Sequence, residues 1–186
     1  FYEVKMLRSP RKIIPVFISS LLTLALIPMT ATSSQAVTVG DFKYSIAGKT
    51  ATVIGCTDND CPSSGALTIP AKVPGTSIPV TSIGEAAFLT NGFEPLTFSG
   101  VSLPSTLTSI ESNAFSGVII NGPLVLPAKL TRIESRAFYK ITVVSVSFGT
   151  APNYIGQGAF QEATITGSLP SLTMQSGEIQ TAAFSG

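Results

Sequence analysis

The sequence predicts a repeat solenoid, with short parallel β-strands on one face, tight turns of 3₁₀ or helical type on the other, and a small β cap in front. Two recurring phrases carry that expectation. Ile-x-x-x-Ala-Phe occurs at residues 83–88, 110–115, 133–138, 155–160 and 179–184, so its isoleucines fall 27, 23, 22 and 24 residues apart. A period in the low twenties is the mark of similar coils stacked along one axis. A second phrase, apolar-x-apolar-Pro, precedes several copies, at Leu67-Thr68-Ile69-Pro70, Val101-Ser102-Leu103-Pro104 and Leu124-Val125-Leu126-Pro127.

The chain divides into a leader (1–36), a cap with the first strand (37–80) and repeats (81–186). Met6 opens a stretch laid out like a secretory signal: Arg8, Arg11 and Lys12 form a positive start, Ile13 to Ile27 an apolar run, and Ser34-Gln35-Ala36 a small-residue cleavage site. Cleavage is expected after Ala36. The competing reading, an uncleaved anchor, fits less well, because Ser19, Ser20 and Thr23 interrupt a run already shorter than the roughly 20 residues that span a bilayer. Residues 1–5, ahead of Met6, read as upstream translated sequence or a fragment edge. The expected location is therefore secreted or cell-surface, with no membrane contact once the leader is gone.

Removing residues 1–36 takes away four basic side chains and one acidic one, leaving 7 basic and 9 acidic, a formal net charge of −2. No basic stripe remains to neutralise phosphates, which argues against a nucleic-acid partner. Charged residues make up 11% of the whole chain, against about 25% in an average soluble domain. The surface is expected to be rich in hydroxyls instead.

In the cap, Phe42, Tyr44 and Ile46 alternate with Lys43 and Ser45, and Ala51, Val53 and Gly55 follow after Ala47-Gly48-Lys49, a hairpin pattern. A solenoid needs such an end piece to cover its first apolar cross-section. The two cysteines, Cys56 and Cys61, both lie here, and in an exported chain they are expected to pair. Closing so short a loop is worth roughly 2 kcal/mol on the chain-entropy estimate. Asp58, Asn59 and Asp60 offer oxygens beside the thiols, but the spacing matches neither an EF-hand nor a zinc site, so no metal is expected.

In each repeat the strand phrase places its apolar residues on one side, and the proline ends the strand by removing a ladder donor. The copies drift at Val146-Ser147-Phe148-Gly149 and Gly167-Ser168-Leu169-Pro170. The central residues Thr68, Ser102, Val125, Ser147 and Ser168 would then line up on the outer face as a possible binding face. The second phrase is expected to supply the core through Ile83 and Phe88, Ile110 and Phe115, Ile133 and Phe138, Ile155 and Phe160, and Ile179 and Phe184. Its alanine lets neighbouring coils approach, and its phenylalanines stack into a spine. Length differences fall between turn and next strand, in Leu89–Gly100, Ser116–Pro123 and Lys140–Ser145. The last copy ends two residues short of Gly186. A solenoid stopping there would expose its final apolar layer, so the chain is expected to be part of a longer protein.

The paired phrases, with Ile-Gly-Glu-Ala-Ala-Phe at 83–88 as the best match, resemble the BspA-type leucine-rich repeats of secreted and surface-attached proteins over about residues 67–186. The cap, with Phe42, Tyr44 and a Thr-x-Ile-Pro strand, is similar to the module that opens such solenoids. The sequence departs from the pattern at Phe148-Gly149, at Gly167 and in the 27-residue first interval. The resemblance implies a curved leucine-rich-repeat solenoid, adhesion to host or matrix proteins and to other cells, and no catalytic residues.

The residues agree with that last implication. The chain has no histidine, which removes the commonest general base and the commonest metal ligand together. Glu111 and Glu134 share one repeat position, but acid/base work by two carboxylates needs a cleft that holds them close. A solvated edge is the plainer reading of both. Arg132, Arg136 and Lys140 cluster near Glu134 and read as exposed ion pairs. No phosphate-binding Gly-rich loop occurs, and no enzyme activity or cofactor is expected. What remains is a surface, so the expected function is a secreted or cell-surface module that binds a protein or glycan. The alternatives are a spacer that displays another domain, or the non-catalytic repeat region of a larger exported enzyme.

Overall fold

The computed structural model describes residues 34–57, 61, 65–89, 94–167, 178–180 and 182–185. The leader up to residue 33 lies outside them. The expected cleavage point after Ala36 falls within the first described strand, β1 (Gln35–Val39).

The cap is an antiparallel meander. β1 pairs with β2 (Phe42–Ala47) through Val39↔Phe42, and β2 pairs with β3 (Thr50–Cys56) through Ala47↔Thr50. Tight turns at Gly40 and Gly48, both with positive φ, join them. β3 then hands the sheet to the repeats by pairing in parallel with β5 (Val80–Ile83). From there one short strand per coil continues it: β8 (Ser109–Ile110), β10 (Arg132–Ile133), β12 (Tyr154–Ile155) and β14 (Glu178–Ile179), giving eight strands in all.

A second sheet of six strands holds the strand phrases: β4 (Ala66–Thr68), β7 (Gly100–Ser102), β9 (Ile119–Leu126), β11 (Thr142–Phe148) and β13 (Thr164–Ile165), with β6 (Thr97–Phe98) paired to β9. The sequence foretold the second sheet and missed the repeat part of the first. The reason is length. A two-residue strand such as Arg132–Ile133 is too short to show an alternation, and it exists only because Ile110, Ile133 and Ile155 stack in register.

The Ile-x-x-x-Ala-Phe phrase forms turns, not helix. Ala87 N donates to Gly84 O at 3.3 Å and Leu89 N to Ala86 O at 3.1 Å, and the other copies repeat the pattern. The turns are also bonded from coil to coil: Phe88 N donates to Ala114 O at 2.9 Å, Phe115 N to Ala137 O at 2.8 Å, Phe138 N to Ala159 O at 2.8 Å and Phe160 N to Ala183 O at 2.7 Å. A helical turn would spend those N–H groups within its own coil. Stacking recruits them instead.

The phenylalanines form one spine. Ring centroids run 5.0 Å from Phe88 to Phe115, 5.5 Å to Phe138, 4.9 Å to Phe160 and 5.1 Å to Phe184, with interplanar angles of 17° or less. At the cap, Phe42 meets Phe88 edge-on at 6.4 Å and Tyr44 at 6.3 Å. Ile83, Ile110, Ile133 and Ile155 are fully buried beside the spine. Ile179 and Phe184, expected in the core, are 45% and 43% exposed, because the last described coil is covered on one side only.

The drifted strand phrase at 146–149 keeps its place, with Val146, Ser147 and Phe148 paired to Leu124, Val125 and Leu126. Gly149 stands where other copies carry proline because the coils meet closely there: a Cβ would lie 2.8 Å from Ala128 N. Its N–H donates to Leu126 O at 2.8 Å, a bond that proline would forfeit. The drifted copy at 167–170 lies outside the described residues beyond Gly167.

Candidate functional site

Two surfaces run the length of the repeats. The first is the outer face of the six-stranded sheet. Thr68 pairs with Ser102 and Ser147 with Val125, and all four side chains are exposed. Ser168, the fifth expected member, lies outside the described residues. This face is smooth: Val125, at 56%, is the most exposed large hydrophobic side chain among the described residues, and Val144, at the bulge of β11, is 42% exposed. Interaction hot spots draw mainly on Trp, Tyr and Arg, and none of these stands in the column.

The second surface is the edge where the Ile-x-x-x-Ala-Phe turns stack. Residue +3 from each isoleucine has positive φ: Ala86 at 52°, Asn113 at 57°, Arg136 at 56°, Gly158 at 63° and Ala182 at 59°. The left-handed residue turns the next peptides so that their N–H groups point along the solenoid axis, into the bonds described above. Glycine and asparagine adopt this conformation readily, whereas other L-residues lose about 1–2 kcal/mol. Sequence reading missed this column, although Asn113 and Gly158 at one repeat position were the available sign of it.

Along this edge lies a shallow polar groove of about 570 Å³, lined by Glu85, Ser112, Asn113, Ser135, Arg136, Gln157, Gln161 and Ala182. Glu85, Ser112, Ser135 and Gln157 are the +2 residues of successive coils, so they form a ladder of side chains. Gly158 helps keep the groove open: a Cβ there would meet Gln161 Oε1 at 2.8 Å and approach Arg136 Cγ to 3.6 Å.

The two arginines of the repeats each lie over a tyrosine, Arg132 of β10 over Tyr154 of β12 and Arg136 over Tyr139 in the turns, and of these four only Arg136 lines the groove. Arg132 lies 4.5 Å above the Tyr154 ring and gives Glu134 two hydrogen bonds, Nε at 2.9 Å and Nη2 at 2.7 Å. The hydrogen bond and charge of Glu134 hold the Arg132 pKa above its ordinary value. Lys140 forms an ion pair with Glu162 at 3.5 Å, and Tyr139 donates to the same carboxylate at 3.0 Å. Arg136 stacks on Tyr139 at 5.7 Å. Its guanidinium forms no ion pair among the described residues.

The remaining sites singled out by the sequence are structural. Glu111 accepts from Ser82 Oγ at 3.0 Å and Ser109 Oγ at 2.8 Å, while Glu134 is taken by Arg132, so each carboxylate serves its own neighbours. Cys56 and Cys61 form a disulfide with Cα atoms 5.1 Å apart, which leaves neither thiol as a metal ligand. No cluster of His, Cys, Asp or Glu suited to a metal occurs among the described residues, and none of their helices is long and apolar enough to cross a membrane.

The family model described as "BspA type Leucine rich repeat region" matches residues 81–186, in 6 copies. The chain belongs to that family. The strand-and-turn coil of this leucine-rich repeat is therefore the unit that the two sequence phrases mark. Among solved structures, a leucine rich cell surface protein of Faecalibacterium prausnitzii A2-165 is similar at 16% identity, with 74% of this chain and 54% of that one covered and a TM-score of 0.31. This leucine-rich-repeat chain thus spans about half the length of that protein. No curated protein matches it.

Proposed function

We propose that the chain is the binding module of a secreted or cell-surface protein and holds a protein or glycan ligand without chemical turnover. The observation that carries this is the stacked turn edge, where Arg136, lying over Tyr139, and hydroxyl and amide side chains from successive coils line one open groove. A rigid rack of this kind loses little conformational entropy when a ligand docks. Membership of the BspA-type family supports the same reading, and so does the leader pattern in the sequence. Adhesion to matrix proteins or to other cells is the use we assign to it.

The test is to immobilise the purified full chain and to measure its binding to fibronectin, laminin, collagen and a glycan array. Saturable binding that exceeds that of an unrelated solenoid supports the proposal. No saturable binding to any of them sinks it and favours the spacer reading, to which the smooth column of Thr68, Ser102, Val125 and Ser147 already lends support.

A further inference from the structure

We infer that the groove on the turn edge binds an acidic sugar, with the guanidinium of Arg136 receiving the carboxylate. This rests on the reading of the chain as a binding module and names the site and ligand class within it.

Two observations converge on this, and a third sets up the test. The first is charge. Arg132 and Lys140 are committed to Glu134 and Glu162, whereas Arg136, its guanidinium over the Tyr139 ring, forms no ion pair among the described residues and lines the groove. An arginine fork matches a carboxylate in two parallel hydrogen bonds.

The second is the lining. Ser112 and Asn113 occupy the coil between Arg136 and Glu85, and Gln157 and Gln161 flank Arg136 from the coil on its other side, so hydroxyl and amide groups line the groove to both sides of it. Such groups both donate and accept, as sugar hydroxyls do, and Glu85 accepts at the far end. The ligand is thereby oriented, acid group toward Arg136 and neutral hydroxyls toward Glu85. An extended acidic peptide fits less well. The backbone at the groove is already paired, with Ala86 N on Ser112 O, Asn113 N on Ser135 O and Arg136 N on Gln157 O. It has no ladder left to offer a strand, and the groove holds no apolar pocket for a peptide side chain.

The third is conformational. Arg136 has a φ of 56° at the position where the next coil carries Gly158. Every coil holds this position in the left-handed region to make its bonds to the next coil, so glycine at 136 is compatible with the fold and removes the guanidinium without disturbing the turn.

The experiment titrates the full chain with N-acetylneuraminic acid, glucuronic acid, neutral N-acetylglucosamine and a pentaglutamate peptide, followed by NMR chemical shifts. R136G, R136K and wild type are compared, and thermal melting is recorded for each. The expected result is saturable binding of the acidic sugars, weakened at least tenfold by R136G and less by R136K, with the melting temperature of R136G no lower than wild type. Equal affinity for the neutral sugar, tighter binding of pentaglutamate, or acid-sugar binding unchanged by R136G would overturn the inference. Failure of every sugar acid also overturns it. If matrix proteins or neutral glycans still bind in that case, the binding-module reading survives; if they do not, both fall.

Discussion

Phe138 is fully buried and sits between two parallel rings, Phe115 at 5.5 Å and Phe160 at 4.9 Å. Phe138→Ala removes a whole aromatic side chain from a site closed above and below, where backbone bonds between coils limit collapse. Truncations of this kind cost about 3–5 kcal/mol, transfer and cavity together. Phe184→Ala is the internal control. It has the same chemistry and the same stacking, at 5.1 Å from Phe160, but it is 43% exposed and has one ring neighbour. With roughly half the side chain already in water, its loss is about 1–2 kcal/mol. Urea unfolding followed by far-UV circular dichroism measures both, read as a change in midpoint at constant slope. A loss below about 1 kcal/mol for Phe138→Ala, or equal losses for the two variants, would refute the argument that stacking on both sides makes the spine.

Other outcomes follow from the same structure. The Tyr44 hydroxyl is buried and has no hydrogen-bond partner among the described residues, so Tyr44→Phe should raise stability by about 1 kcal/mol, since an unsatisfied buried polar group is a net cost. Burial first, and then the charge of Asp41, raise the Tyr44 pKa above 10.0. Above that pH the unfolded chain loses its phenolic proton before the folded one, so stability falls as pH rises toward the folded value; the phenylalanine variant should lack this part of the alkaline decline, measured by urea titration at stepped pH. Gly149→Ala drives a Cβ to 2.8 Å from Ala128 N and should cost about 1–3 kcal/mol in the same assay, as overpacking does. Reducing Cys56–Cys61 should cost roughly 2 kcal/mol; an unchanged melting temperature under reductant would show that the cap holds without it.

Much of the architecture is local in origin and therefore legible in the chain. Residues 124–126 alternate because one face of a strand is buried, and Ile133, Ala137 and Phe138 recur because each coil must fill the same cross-section. A repeated requirement writes itself repeatedly. The exposed column of Thr68, Ser102, Val125 and Ser147 could likewise be placed from spacing alone, since in-register strands keep equivalent residues side by side.

What the sequence did not reveal arises between coils. The eight-stranded sheet is built in the repeats from pairs such as Ser109–Ile110 and Arg132–Ile133, too short to carry a period and held only by their neighbours. The left-handed position at Ala86, Asn113, Arg136, Gly158 and Ala182 holds one conformation under four residue types, because the bond it enables runs to the next coil rather than along its own. The groove follows from that turn geometry. By itself the sequence determined a repeated coil, its buried residues and its cap. Tertiary stacking decided that Lys140 meets Glu162 and that Arg132 lies over Tyr154, both across neighbouring coils, while Arg136 forms no ion pair among the described residues, since those partners are brought together only by the stack.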